Sequence, residues 1–179
     1  MASPATPAPA RVSIQTADFD TAAEIAALHG QHGGVGAIVS FTGTVRDRDG
    51  NLAGQTPDSL ITALELEHYP GMTERAIEQM IDAAFTRFNI LGARVVHRVG
   101  PLKPLDRIVL VLVTSAHRGQ AFQACEFLMD YLKTQAPFWK KESTADGGSQ
   151  WVDARVADDN ALLRWGIDMS NAAPGPGPL

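Results

Sequence analysis

The apolar positions of this chain change period several times, and each change marks an element. Asp20 to Gln31 carries Ala22, Ile25, Ala26 and Leu28 at helical spacing, and Gly33-Gly34 beyond it predicts where that helix stops. Gly36 to Arg46 is rich in β-formers and predicts a strand. Leu60 to Tyr69 alternates, with Leu64, Leu66 and His68 against Glu65 and Glu67, which predicts a half-buried strand broken by Pro70-Gly71. Helical period returns from Met72 to Phe88, with Ala76, Met80, Ala83 and Ala84 on the buried stripe. Ala93 to Val99 reads as a strand and Pro101 to Asp106 as a turn-rich connector. Ile108 to Val113 is unbroken and mostly β-branched, the mark of a strand covered on both faces. Thr114-Ser115 then offers an N-cap for a helix reaching Lys133. Phe138 to Glu142 and Trp151 to Val156 are expected to pair around Asp146-Gly147-Gly148, with a short helix from Asp158 to Trp165. Polar Asp47 to Ser59 is expected to be a long exposed loop. This mixed order, without a repeat, gives a single α+β domain.

Composition narrows the picture. A chain of 179 residues with 45% apolar content can bury a substantial core. Residues 1–11 and 167–179, rich in Ala, Pro and Gly, are expected to be disordered flanks of a domain spanning 12–166. The N-terminus lacks the basic and apolar regions of a signal peptide, and no apolar run approaches the ~20 residues that span a bilayer, so a cytoplasmic protein is expected. A net charge of −5 disfavours nucleic acid as a partner. The sole cysteine, Cys125, excludes an intrachain disulfide. It shares helical spacing with Phe122, Leu128, Met129 and Leu132, which predicts a core position rather than a reactive thiol.

Against that acidic background, Tyr131 to Glu142 carries Lys133, Lys140 and Lys141 and no acid until Glu142 itself, apart from the preceding Asp130. A local cationic pocket in an acidic protein suits a small anion. Lys133, in a last helical turn, complements the helix dipole whether or not it has a function. Lys140 follows Phe138-Trp139, whose rings would desolvate its ammonium and suit it to proton transfer, although many such lysines are only packing stems. Ser115-Ala-His117-Arg118 falls where a strand ends and a helix begins, a favourable place for an anion. Arg118 there opposes the dipole by about 0.3–1 kcal/mol, which a bound anion would relieve and solvent exposure would explain equally well. Arg46 ends a strand, and His68 and His97 read as structural, hydrogen-bonded histidines. No group has metal-ligand spacing, and Gly30 to Gly36 matches neither phosphate-loop nor dinucleotide patterns. No cofactor of the protein's own is expected.

Five blocks in order carry a family pattern: Phe41-Thr-Gly-Thr-Val-Arg46, Leu66-Glu-His-Tyr-Pro-Gly-Met72, Thr114-Ser-Ala-His-Arg118, Met129-Asp-Tyr-Leu-Lys-Thr134 and Ala136-Pro-Phe-Trp-Lys140. From Val12 to Trp165 the chain resembles the large, catalytic subunit of molybdopterin synthase. The resemblance implies an α+β domain with a hammerhead-like mixed β-sheet and packed helices. It implies a homodimer that binds two small ubiquitin-like subunits, giving a heterotetramer. It further implies a sulfurtransferase of molybdenum cofactor biosynthesis. The small subunit's C-terminal Gly-Gly thiocarboxylate gives sulfur to cyclic pyranopterin monophosphate (precursor Z), forming the dithiolene of molybdopterin. Lys133 and Lys140 fall on the family's catalytic lysines. Arg46, His117 and Arg118 fall on substrate-contacting positions, and the His-Arg pair can be supplied across the dimer. Thr44 and Val45 adjoin Arg46, and Lys141, Glu142 and Arg155 are further substrate contacts. Phe41, Met129, Phe138 and Trp139 are expected to rim the channel for the partner's tail. Two features depart from the pattern: Thr44 stands where a basic residue is familiar, and the loop through Gly50 to Ser59 is long. A scaffold that binds the ubiquitin-like partner without turnover, and a phosphate-ligand hydrolase using His117 as base, are the rival readings.

Overall fold

The apolar run at Ile108–Val113 is the middle of a long strand, β6 (Arg107–Ser115), around which the rest of the molecule is arranged. In the computed structural model, which describes residues 10–30, 32–47, 60–145, 147–152 and 163–166, β6 is flanked by two antiparallel neighbours, β4 (Gly92–Arg98) and β2 (Ala37–Thr44). β1 (Val12–Gln15) runs parallel to β4 and completes a four-stranded sheet of order β1-β4-β6-β2. A second, antiparallel sheet has the order β5 (Gly100–Leu102), β3 (Ile61–His68), β7 (Phe138–Thr144), β8 (Ser149–Val152).

β6 is buried on both faces because its side chains alternate between two apolar layers. Val109, Val111 and Val113 pack with Ile77, Met80 and Ile81 of α2 (Met72–Arg87) and with Phe127 and Leu128 of α3 (Arg118–Gln135). Leu110 and Leu112 turn the other way, onto Phe19, just ahead of α1 (Thr21–His29), and Leu28 in that helix's last turn. Each such burial contributes about 1.5–3 kcal/mol, so the strand lacking a polar face is the one best held. Asp20 caps α1, its carboxylate accepting from the Ala22 and Ala23 N–H groups at 2.9 and 3.1 Å. A smaller core of Val45, Leu64, Leu66 and Leu102 lies against the second sheet.

The α+β class and most predicted elements are present. Corrections concern ends and short pieces. Thr114-Ser115 do not cap α3; they finish β6, because Thr114 pairs with both Ile38 and Gly92, and His117 takes the cap position. α3 also continues past Lys133 to Gln135. The expected connector from Pro101 to Asp106 begins inside a short strand, β5, and β1 is an additional strand. Phe122, expected beside Cys125 in the core, is 61% exposed, whereas Cys125 is buried as predicted. In α2 the deepest residues include Ile77 and Ile81 as well as Met80 and Ala84. The hairpin around Gly147-Gly148 forms, with β8 starting at Ser149. Residues 163–166 make a turn closed by Gly166 N–H donating to Leu163 C=O at 3.0 Å. Trp165 packs there against the main core, its indole N–H donating to Asp130 at 2.7 Å. The flanks 1–9 and 167–179, most of the 47–59 loop and residues 153–162 lie outside the described residues. No helix among the described residues is long and apolar enough to cross a membrane.

Candidate active site

α3 follows β6 after only Ala116 and His117, so it folds back along the strand it has just left. Arg118, its first residue, therefore sits where β6 finishes, and Lys133, in its last turn, sits toward the opposite end of the sheet. The two are fifteen residues apart on one helix, about 22 Å at about 1.5 Å of rise per residue. β2 gives the same ordering: Ala37 pairs with Ser115 and Thr44 with Arg107, so Arg46 lies at the Lys133 end. The start of β7 lies there too. Phe138 stacks on His97, with ring centroids 3.9 Å apart and 17° between planes, and His97 pairs with Val109 near the beginning of β6.

Register places the second lysine. Across the β3–β7 ladder Leu64 faces Glu142, Leu66 faces Lys140 and His68 faces Phe138, so these side chains share the inner face of the second sheet. Lys141 and Trp139 face Glu65 and Glu67 on the outer side. The Lys140 ammonium is paired with the Glu142 carboxylate two residues on; their side chains are 35% and 11% exposed. The carboxylate end is largely buried while the ammonium stays about one-third exposed, so solvent screens this charge-assisted pair in part. Lys141 instead lies over the Trp151 ring, 5.8 Å from its centroid.

The remaining predicted residues divide between the two ends. Val45 is buried, and its N–H donates to Asp106 C=O at 2.8 Å while its C=O accepts from the Leu105 N–H at 2.9 Å. Thr44, Arg46 and Lys133 are exposed. Phe41 is partly exposed at the sheet edge beside Gly43, and Met129 packs against the main core. Trp139 meets Tyr69 edge-on at 4.5 Å. At the far end His117 and Arg118 are exposed, and the His117 N–H donates to Ser115 Oγ at 3.3 Å. One chain thus brings Lys133, Lys140, Glu142 and Arg46 to one end and keeps His117 and Arg118 away from them. Arg155 lies outside the described residues.

Buried titratable groups take structural roles. Burial pushes the His97 ring down to about 4, while its Nδ1–H donates to the Arg98 carbonyl at 2.8 Å. It is neutral at pH 7. Burial pushes the Cys125 thiol up to about 11, so it stays protonated and non-nucleophilic. Gly36, which the sequence marks only as a strand start and the end of a glycine-rich stretch, has a packing role. A β-carbon there would stand 2.4 Å from the Ala116 carbonyl oxygen, so this glycine lets the start of β2 press against the His117-Arg118 loop.

Comparison with known proteins decides the family. The family described as MoaE protein matches residues 14–135, and a molybdopterin synthase catalytic subunit from Ralstonia nicotianae is 56% identical over 163 residues, 90% of this chain and 88% of that one. The chain belongs to the MoaE protein family. Among solved structures, this MoaE-family fold is similar to the molybdopterin biosynthesis MoaE protein from Burkholderia ambifaria, with a TM-score of 0.74 and 52% identity, covering 89% of this chain and 100% of that one. A more distant neighbour from Helicobacter pylori shares the fold at a TM-score of 0.62 and 19% identity, covering 82% of this chain and 92% of that one. That protein was solved as a complex of subunits 1 and 2 of molybdopterin-converting factor.

Proposed function

We propose that the lysine end of this domain is the sulfur-transfer site of a molybdopterin synthase catalytic subunit, acting in molybdenum cofactor biosynthesis. The protein is an enzyme of the MoaE family. The observation that carries the site assignment is that Lys133 and Lys140 flank a single tight connection, α3 to β7, with Arg46 at the same end of the molecule. The sulfur donor is the C-terminal thiocarboxylate of a small ubiquitin-like subunit, and the acceptor is cyclic pyranopterin monophosphate. Both are anions. Ammonium groups between them lower their mutual repulsion and stabilise charge that develops as carbon–oxygen bonds break. Lys133 works beside the partner's terminal glycine and Lys140 nearer the pterin, protonating the departing oxygen. Glu142 holds the Lys140 side chain on the inner face of its strand. Sulfur arrives from outside the chain, in keeping with a buried, protonated Cys125.

His117 and Arg118 cannot reach the same small substrate as Lys133 within one chain, given the length of α3. A second copy supplies them, Arg118 making bidentate contacts to the phosphate, so the working unit is a homodimer with two partner subunits. Phe41, Met129, Phe138 and Trp139 line the entry of the partner's glycine tail. The domain over 12–166 carries this activity.

The test is reconstituted turnover with the thiocarboxylated small subunit and cyclic pyranopterin monophosphate, reading molybdopterin as its fluorescent oxidation product. Lys133→Ala and Lys140→Ala each abolish product while the complex still assembles. Mixed dimers of Lys133→Ala and Arg118→Ala chains recover part of the activity, because one of their two sites is intact. Full turnover by Lys133→Ala would refute the assignment, and a stable wild-type complex without product would favour the scaffold.

A further inference from the structure

The block Leu66-Glu-His-Tyr-Pro-Gly-Met72 belongs to the family pattern, yet neither Tyr69 nor the neighbouring Thr73 has a place in the chemistry above. We propose that the turn from β3 into α2 is a positioning element for the two lysines, with the Thr73 hydroxyl as its central contact; this rests on the sulfur-transfer reading of Lys133 and Lys140.

The lysines are separated by Thr134 to Trp139, and only Ala136 and Pro137 lie between α3 and β7. Their spacing therefore depends on how this connection is held. Three consecutive residues of it are held by three different partners. Thr73, fully buried, donates its hydroxyl to the Pro137 carbonyl at 3.3 Å and accepts from the Tyr69 N–H at 3.2 Å. Phe138 is stacked on His97 of β4. Trp139 is met edge-on by Tyr69, with 86° between the rings. Pro137 has no N–H to give, so its carbonyl is the only backbone hydrogen-bonding group it offers. The turn that reaches it is itself closed, since the Thr73 N–H donates to the Tyr69 carbonyl at 2.9 Å and the Gly71 N–H donates to Glu74 Oε2 at 2.6 Å. Gly71 permits that closure with a φ of 80°. The connection is thus fixed from α2, from β4 and from the end of β3 together. A group held to within a fraction of an ångström matters here, because a misplacement of about 1 Å costs on the order of a hundredfold in rate.

The experiment compares Thr73→Val, which keeps the shape and removes the hydroxyl, with Thr73→Ser, which keeps the hydroxyl. Both use the full chain, the thiocarboxylated small subunit and cyclic pyranopterin monophosphate. Thr73→Val is expected to lower kcat about tenfold or more while the Kd for the small subunit moves less than about threefold, and Thr73→Ser to recover kcat to within about threefold. A purely structural hydroxyl would lower Tm and leave kcat per folded protein unchanged. Wild-type kcat in Thr73→Val, or a Thr73→Ser as slow as Thr73→Val, overturns the proposal. If Thr73→Val shows no cooperative melt, Tyr69→Ala decides. Tyr69 is a partly exposed residue, and the same kcat loss upholds the proposal while a wild-type kcat overturns it. A wild-type chain without turnover fails at the sulfur-transfer reading, which separates that failure from this one.

Discussion

Replacing Gly36 with alanine tests how the His117-Arg118 corner is built. Gly36 directly precedes β2, and its N–H donates to the Ser115 carbonyl at 3.0 Å. An added β-carbon would lie 2.4 Å from the Ala116 carbonyl oxygen and 3.3 Å from its carbon, whereas ordinary contact begins at 3.4 Å. The two backbone segments must separate by about 1 Å, and neither is the yielding tip of a side chain. β6 is buried through Ser115, but Ala116, His117 and Arg118 are exposed, so the movement falls on them. Overpacking of this kind costs about 1–3 kcal/mol, which for a chain of this size lowers Tm by about 2–4 °C per kcal/mol. The functional loss exceeds that, because the residues displaced are the proposed phosphate contacts; a shift of about 1 Å predicts a fall of about ten- to a hundredfold in kcat/KM. The assay is molybdopterin formation at saturating small subunit across a substrate titration, beside a thermal melt. Gly33→Ala is the control, since a β-carbon there meets nothing within 4 Å. Gly36→Ala with wild-type kcat/KM and an unchanged Tm would refute the reasoning.

Three further outcomes follow from described features. Cys125→Ala retains sulfur transfer and the native Cys125 thiol resists alkylation at pH 8, since burial holds it protonated up to about 11; loss of turnover in a well-folded Cys125→Ala would reopen a role for it. His97 is neutral in the fold down to about 4, whereas the unfolded chain protonates it near 6.5. The unfolded state therefore binds the extra proton between those values, so His97's contribution is complete above about 6.5 and declines by roughly 3 kcal/mol as pH falls to about 4. Electrostatic repulsion from nearby His68 adds a smaller lowering to that of burial, and His97→Gln flattens the decline in urea midpoints between pH 7 and 4. Leu105 holds a φ of 76° while 87% exposed, so Leu105→Asn relieves left-handed strain with little packing lost and raises stability by about 1 kcal/mol in urea titration.

Much of this molecule was legible because its elements announce themselves locally. The β6 run, the alternation in β3 and the Gly147-Gly148 hairpin each needed only a window of neighbours to read. What escaped depends on distant partners. β1 is four residues that become a strand only by lying along β4, and β5 is a three-residue edge strand disguised by Pro101. The cap was misplaced because Thr114 and Ser115 suit a helix start, and only their pairing with β2 and β4 keeps them extended. The residues proposed for the site were recognisable as family motifs, and helix length alone already separates Arg118 from Lys133. The Lys140–Glu142 pair and the contacts on Pro137, Phe138 and Trp139 required the register of β7, which composition does not specify.

The burial of β6 on both faces also sets a hierarchy of motion. Amides in its centre exchange with solvent only when the whole domain opens, because both apolar layers must part to free them. Ala116, His117 and Arg118 hang directly from that strand and are tethered to the slowest-opening part of the chain. Lys140 belongs to β7, in the sheet with the smaller core, and β8 beyond it is a four-residue edge strand. That edge strand can fray without disturbing β6. The protein therefore carries its proposed phosphate contacts on the part of the chain that opens last, while the proposed second lysine relies on the contacts at Pro137, Phe138 and Trp139 to hold its strand in place.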